Sequence, residues 1–266
     1  MTVRSIVTFV ETGAADQPPA ALALALDWAA ALDARVVVLA FPADVSRTSE
    51  FADEEATFAQ VRSHIAALAD RAGVPVSIVD RSSFAYGIGE VFADHLKVAD
   101  LGLLTGRPGP LVGERLLAQA AVFDSGRPLV VAPRKPRALP LLRRALVAWD
   151  GTHAAARAMQ DAISLLPPGA EAIVARVTDD KALRMDQSGI EAAHHLSRHC
   201  IKAEFKEIPR AGREIYEALL SAAQEAGCDL IVTGAVRHSP LHELVFGSVT
   251  GKVLDGDCPL PVLLSA

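Results

Sequence analysis

Three stretches of this sequence occur twice, in the same order. "IVTFVETG" from Ile6 is echoed by "ALVAWDGT" from Ala145, "ADLGLLTG" from Ala99 by "CDLIVTG" from Cys228, and "RPLVVAP" from Arg127 by "LPVLLSA" from Leu260. Ordered matches of this kind indicate an internal duplication. Each copy would be about 130 residues, the ordinary size of one α/β domain. The pattern predicts a first domain over 1–133, a linker over 134–140 and a second domain over 141–266. The linker "RKPRALP" is basic and proline-bearing, a stiff connector.

Within each copy, short β-rich runs alternate with longer amphipathic ones. Strands are predicted at Ser5–Val10, Arg35–Ala40, Val74–Val79, Leu101–Thr105 and Pro128–Ala132, then at Arg144–Trp149, Ala172–Val177, Ala203–Ile208, Leu230–Thr233 and Pro261–Leu264. Helices are predicted at Pro18–Leu32, Glu50–Ala72, Ile88–Val98 and Leu111–Phe123, then at Thr152–Leu166, Gly189–Ile201, Arg213–Gly227 and Leu241–Asp255. Strands alternating with helices make a mainly parallel sheet covered on both faces. Right-handed crossovers then leave a crevice at the carboxyl ends of the strands. A homodimer of the whole chain stays open.

In the second copy three segments should meet at that crevice: the end of the first strand with Asp150, the end of the second with Val177, and the end of the fourth with Gly234. Gly234 allows close approach of backbone to a ligand. Gly247 and Ser248 fall at the start of the last helical segment, followed by Val249 and Thr250. Free amides and the dipole at a helix N-terminus favour an anion such as phosphate. Asp150 can accept a hydrogen bond from a ribose or base, or cap the helix that follows.

These residues resemble the universal stress proteins. That family carries Gly, two residues, Gly, nine residues, then Gly and Ser or Thr after its fourth strand; this chain reads Gly234, two residues, Arg237, nine residues, Gly247, Ser248. The continuation "GSVTGKVL" and the "VAWDGT" of the first strand are also similar. The resemblance covers Arg144 to Ala266, and 1–133 more loosely. It implies two tandem flavodoxin-like (adenine nucleotide α-hydrolase-like) domains, each a five-stranded mainly parallel sheet, and, by analogy with family dimers whose last strands pair, that the two final strands pair inside the chain, setting Leu129–Ala132 beside Val262–Ser265 and covering two sheet edges. It further implies a regulatory role in stress response, with ATP or another adenine nucleotide as ligand and Mg only together with nucleotide. By motif position, Asp150 and the Val177 backbone would face the adenosine, and Gly234, Gly247, Ser248, Val249 and Thr250 the phosphates. Arg237 departs from the family glycine; the expectation is a weakened or reshaped site. The alternative is a scaffold of the same fold without nucleotide. In the first copy Glu11 replaces the aspartate. Gly106 and Gly109 remain, but Gln119 and Ala120 replace the Gly–Ser pair, so no nucleotide is expected there.

Other motifs carry less. "GSVTGKV" is one residue short between its glycines for a P-loop and has Val253 after the lysine. "YGIGEV" at Tyr86 lacks the third glycine of a dinucleotide fingerprint and reads as a turn. Glu191, His195 and His199 share a helix face, but no second ligand cluster accompanies them, and a solvated face is expected. No nucleophile–base pair is evident, which leaves at most weak ATP hydrolysis. Net charge is −6, with no basic tract, which argues against nucleic acid. The apolar stretch from Pro18 is too short and too charged for a membrane, and the N-terminus has no signal-peptide pattern. Cytoplasmic location is expected, with Cys200, Cys228 and Cys258 as thiols.

Overall fold

The computed structural model describes residues 3–12, 20–42, 51–80, 87–105, 112–133, 142–178, 188–236, 248–255 and 258–266. The first half runs β1 (Ser5–Thr12), α1 (Ala20–Leu32), β2 (Arg35–Pro42), α2 (Phe51–Ala72), β3 (Val76–Asp80), α3 (Ile88–Lys97), β4 (Leu101–Thr105), α4 (Val112–Asp124) and β5 (Leu129–Ala132). The second repeats the order: β6 (Arg144–Ala148), α5 (His153–Ile163), β7 (Glu171–Thr178), α6 (Ser188–Arg198), β8 (Lys202–Pro209), α7 (Ile215–Glu225), β9 (Leu230–Gly234), α8 (Ser248–Asp255) and β10 (Val262–Ser265).

The sequence predicts two five-stranded sheets; the structure joins them into one sheet of ten strands, ordered β3-β2-β1-β4-β5-β10-β9-β6-β7-β8. The joint is β5 against β10, antiparallel, with Val262 opposite Val131, Leu263 opposite Val130 and Leu264 opposite Leu129. The other pairs are parallel. Every residue of β5 and β10 is buried. Their continuous apolar runs suit strands covered on both faces. One apolar core, with α1, α2, α5 and α6, holds Leu22, Ile65, Val130, Ala158, Leu196 and Leu263. The other, with α3, α4, α7 and α8, holds Phe92, Leu117, Val131, Leu219, Leu254 and Leu264. Both run across the joint; α1, buried along most of its length, is apolar nearly all round.

The duplication is visible in bonding as well as in order. Asp100 Oδ2 accepts from the amides of Arg4 (2.9 Å) and Ser5 (3.0 Å) and from the Ser5 hydroxyl (3.0 Å). Asp229 Oδ2 accepts from the amides of Arg143 (2.8 Å) and Arg144 (3.0 Å). The aspartate of "ADL" and "CDL" thus anchors the start of the first strand in each half. It satisfies amides that precede the β1–β4 and β6–β9 ladders, which begin at Ile6 and Ala145.

Some boundaries move for local reasons. The third strand begins at Val76 rather than Val74, because the Val74 amide still bonds back to the Ala69 carbonyl across Gly73, whose φ is +66°. That left-handed residue ends α2. Likewise α6 stops at Arg198, where the Ile201 amide returns to Leu196 O and Cys200 takes φ 63°. The predicted linker, Pro18–Pro19 and 241–247 of the last predicted helix lie outside the described residues.

Candidate functional site

β6 pairs with β7 on one side and β9 on the other. The helices that follow, α5 after β6 and α8 after β9, cover opposite faces. The strand order therefore switches here, at the carboxyl ends of β6 and β9, the place where ligands bind in open α/β sheets.

Asp150 stands on the β6 lip and is exposed. The Thr152 amide (3.0 Å) and the Thr152 hydroxyl (2.7 Å) both donate to its Oδ1. Thr152 in turn accepts from the Ala155 amide at 3.2 Å, so Thr152 is the N-cap of α5. The sequence allowed Asp150 as the cap; the structure corrects this. Gly151, at φ +76°, turns the chain so that Asp150 sits outside the helix and Thr152 enters it. Asp150 is thereby held by one oxygen, and its Oδ2 has no partner among the described residues.

Gly234 ends β9 and faces the start of α5. A Cβ there would lie 2.6 Å from the Ala154 carbonyl carbon, 2.6 Å from the Ala155 nitrogen and 2.9 Å from the Ala154 Cβ. The glycine therefore meets a packing need whatever else it does. Val177 is buried near the end of β7, with its side chain in the core beneath α7 and α8. Ser248 opens α8, Val249 packs against the same core, and Thr250 is 2% exposed. The topology brings Asp150, Val177 and Gly234 to the carboxyl ends of neighbouring strands. Arg237 and Gly247 lie outside the described residues, as do Gly106 and Gly109.

Sequence reasoning missed two contacts at this lip. The Trp149 indole N–H donates to Ser188 Oγ at 3.0 Å, tying the end of β6 to the start of α6. Arg176, 6% exposed, lies with its guanidinium 5.4 Å from the centroid of the Phe205 ring, a cation–π distance. A lone arginine inside the apolar run "AIVARVT" was the available signal. Phe205 also accounts for Gly189, where a Cβ would come within 2.2 Å of the ring.

Away from this switch point, His195 Nε2 is 3.3 Å from Gln160 Oε1 and its ring meets His199 edge-on at 4.9 Å. Glu191 is 3.7 Å from His194 Nδ1 instead. Among the described residues no group of His, Cys, Asp and Glu could hold a metal ion. Burial pushes the Cys228 thiol up to about 11 and also raises Cys258, which shares a hydrogen bond with Tyr216. Both thiols stay protonated near neutral pH and are poor nucleophiles. Among the described residues no helix is long and apolar enough to cross a membrane.

The fold defines an α/β protein of two similar halves joined in one mainly parallel sheet. Residues 142–265 match the model of the Universal stress protein family, and this segment of the chain is similar to that family. The whole chain is similar in fold to a universal stress protein from Archaeoglobus fulgidus DSM 4304, at 15% identity over 97% of each chain with a TM-score of 0.67. It is also similar to a protein of unknown function from Pseudomonas aeruginosa PAO1, at 17% identity over 99% of this chain and 92% of that one, TM-score 0.56. No curated protein matches the sequence.

Proposed function

We propose that this chain is a regulatory stress-response protein of two tandem domains, over 1–133 and 141–266, and that the second binds ATP or another adenine nucleotide. The supporting observation is Asp150, clasped at one oxygen by Thr152, with no partner for the other among the described residues, on the lip of the topological switch point. A fixed carboxylate there suits a ribose hydroxyl or an adenine amino group. The amides at the start of α8 suit phosphate. Arg237 bears on strength. In place of the family glycine it costs on the order of 1 kcal/mol where that position needs positive φ. As a guanidinium near phosphate it returns roughly 1.5–3 kcal/mol. Magnesium enters only with the nucleotide.

Calorimetric titration of ATP and AMP into wild type, Asp150→Ala and Arg237→Gly tests this. Loss of binding in Asp150→Ala supports the site. Tighter ATP binding in Arg237→Gly makes the arginine an obstruction; loss of the ATP-over-AMP preference makes it a ligand. The packing of Gly234 against α5 favours a second reading, a scaffold without nucleotide, because it explains that motif glycine without a ligand. Absence of ATP binding at millimolar concentration in both wild type and Arg237→Gly selects it. Turnover that requires magnesium would add weak hydrolysis to the first reading.

A further inference from the structure

β8 closes one end of the ten-stranded sheet, and among the described residues no strand pairs with its outer edge. Its Lys202 amide bonds inward to Ala170 O at 2.8 Å. In a parallel ladder the backbone groups of alternate residues then point inward and outward in turn. Ala203, Phe205 and Glu207 therefore direct their N–H and C=O groups outward. Pro209, next in that series, has no N–H to leave exposed, which suits an edge. The strand spans eight residues and most of its side chains are solvated.

Charged side chains on an edge ordinarily keep chains apart. They do so when like charges meet, and here the signs alternate along one face, Lys202, Glu204, Lys206. We propose that β8 is a docking edge for a second copy of this chain, paired antiparallel about a two-fold axis at Phe205. In that register Phe205 faces Phe205 of the second copy, and Ala203 faces its Glu207, so every outward N–H and C=O of these residues finds a partner. Glu204 then lies opposite Lys206 of the second copy, and Lys206 opposite its Glu204. These are the non-hydrogen-bonded positions, where facing side chains come closest.

The neighbouring registers are penalised. Centring on Glu204 sets glutamate against glutamate and Lys202 against Lys206. Centring on Lys206 sets lysine against lysine. Centring on Ala203 also matches signs, but it places Phe205 opposite Ile201, which precedes the strand and is buried. Charge and the outward backbone groups together thus select the register centred on Phe205. The internal joint already occupies β5 and β10, so this contact would be additional to it. It does not depend on nucleotide.

Sedimentation equilibrium of the full chain tests the proposal, with circular dichroism confirming that each variant is folded. Wild type should form a dimer that weakens with added salt. Lys206→Glu alone and Glu204→Lys alone should each associate at least tenfold more weakly. Mixing these two variants should restore a dimer, since one then presents two glutamates to two lysines; the double variant should restore it in one chain. A monomeric wild type overturns the proposal. So does a dimer indifferent to both single changes, or a mixture that stays monomeric.

Discussion

Gly234 presses its Cα against the peptide that joins Ala154 to Ala155, so closely that a Cβ would sit 2.6 Å from the Ala155 nitrogen. Backbone lines that contact on both sides, so no flexible side chain can yield. Gly234→Ala should therefore push β9 and α5 apart and destabilise the protein by about 1–3 kcal/mol, the range for overpacking. Chemical denaturation measures it. A change below about 0.5 kcal/mol, the scale of an inconsequential surface substitution, would show that the strand end shifts freely.

Thr152 carries two duties at the same lip, capping α5 and holding Asp150. Thr152→Ala should cost roughly 1 kcal/mol as a lost cap, while Thr152→Ser should recover most of it through the same hydroxyl. If the switch point binds nucleotide, the alanine variant should also bind ATP more weakly than its stability loss explains. The free Asp150 carboxylate would have to be ordered on binding. Equal ATP affinity in both variants would separate the cap from the ligand site.

Much of this fold was legible because the chain states it twice. Repeated "DL" strand starts and repeated final strands pointed to the duplication, and the resemblance to family dimers then pointed to the β5–β10 pairing. Alternation of short apolar runs with amphipathic ones placed the elements. Boundaries set by backbone conformation were less legible, since Gly73 and Cys200 end helices through φ and not through hydrophobicity. At the site, Asp150 and Gly234 could be placed from sequence, but not their neighbours. That Thr152 and not Asp150 caps α5 depends on one turn at Gly151. That Gly234 touches α5, or that Trp149 reaches Ser188, depends on long-range packing that no local pattern encodes.

The three cysteines should separate by reactivity. Cys200 is exposed, whereas Cys228 and Cys258 are buried. A disulfide reagent should label Cys200 quickly at neutral pH and the other two only on denaturation. Comparable rates at all three would contradict the burial.

Cys228 also predicts a pH dependence. Burial raises its folded value from the ordinary 9.0 to about 11. The unfolded thiol thus loses its proton at lower pH than the folded one. The stability that Cys228 contributes is complete below pH 9 and falls as pH rises towards 11. Cys228→Ser removes this thiol titration while keeping a similar shape. Denaturation curves at steps across that window should fall more steeply for wild type than for the serine variant. Parallel slopes would mean the thiol is solvated in the native state.

Asp100 and Asp229 perform the same anchoring in opposite halves, and their loss tests how the halves are coupled. Each holds backbone amides with a charged acceptor, a class of bond worth about 1.5–3 kcal/mol, so Asp100→Ala and Asp229→Ala should each destabilise by that order. Asp100 also accepts from the Ser5 hydroxyl and should cost more than Asp229. The two aspartates are far apart in the sheet, so the penalties should add in the double variant. Where the halves report differs from where the losses occur. Both apolar cores run unbroken across β5 and β10, and neither strand keeps a covered outer edge if its partner melts. An isolated half would expose the buried faces of that joint, with a burial value of about 1.5–3 kcal/mol for each large apolar side chain. Either substitution should therefore lower the melting temperature of the whole chain in a single transition, seen alike by the fluorescence of Trp28 in the first half and of Trp149 in the second. Two transitions, with Asp229→Ala moving only the one seen by Trp149, would show that the halves fold independently and that the joint adds little to either.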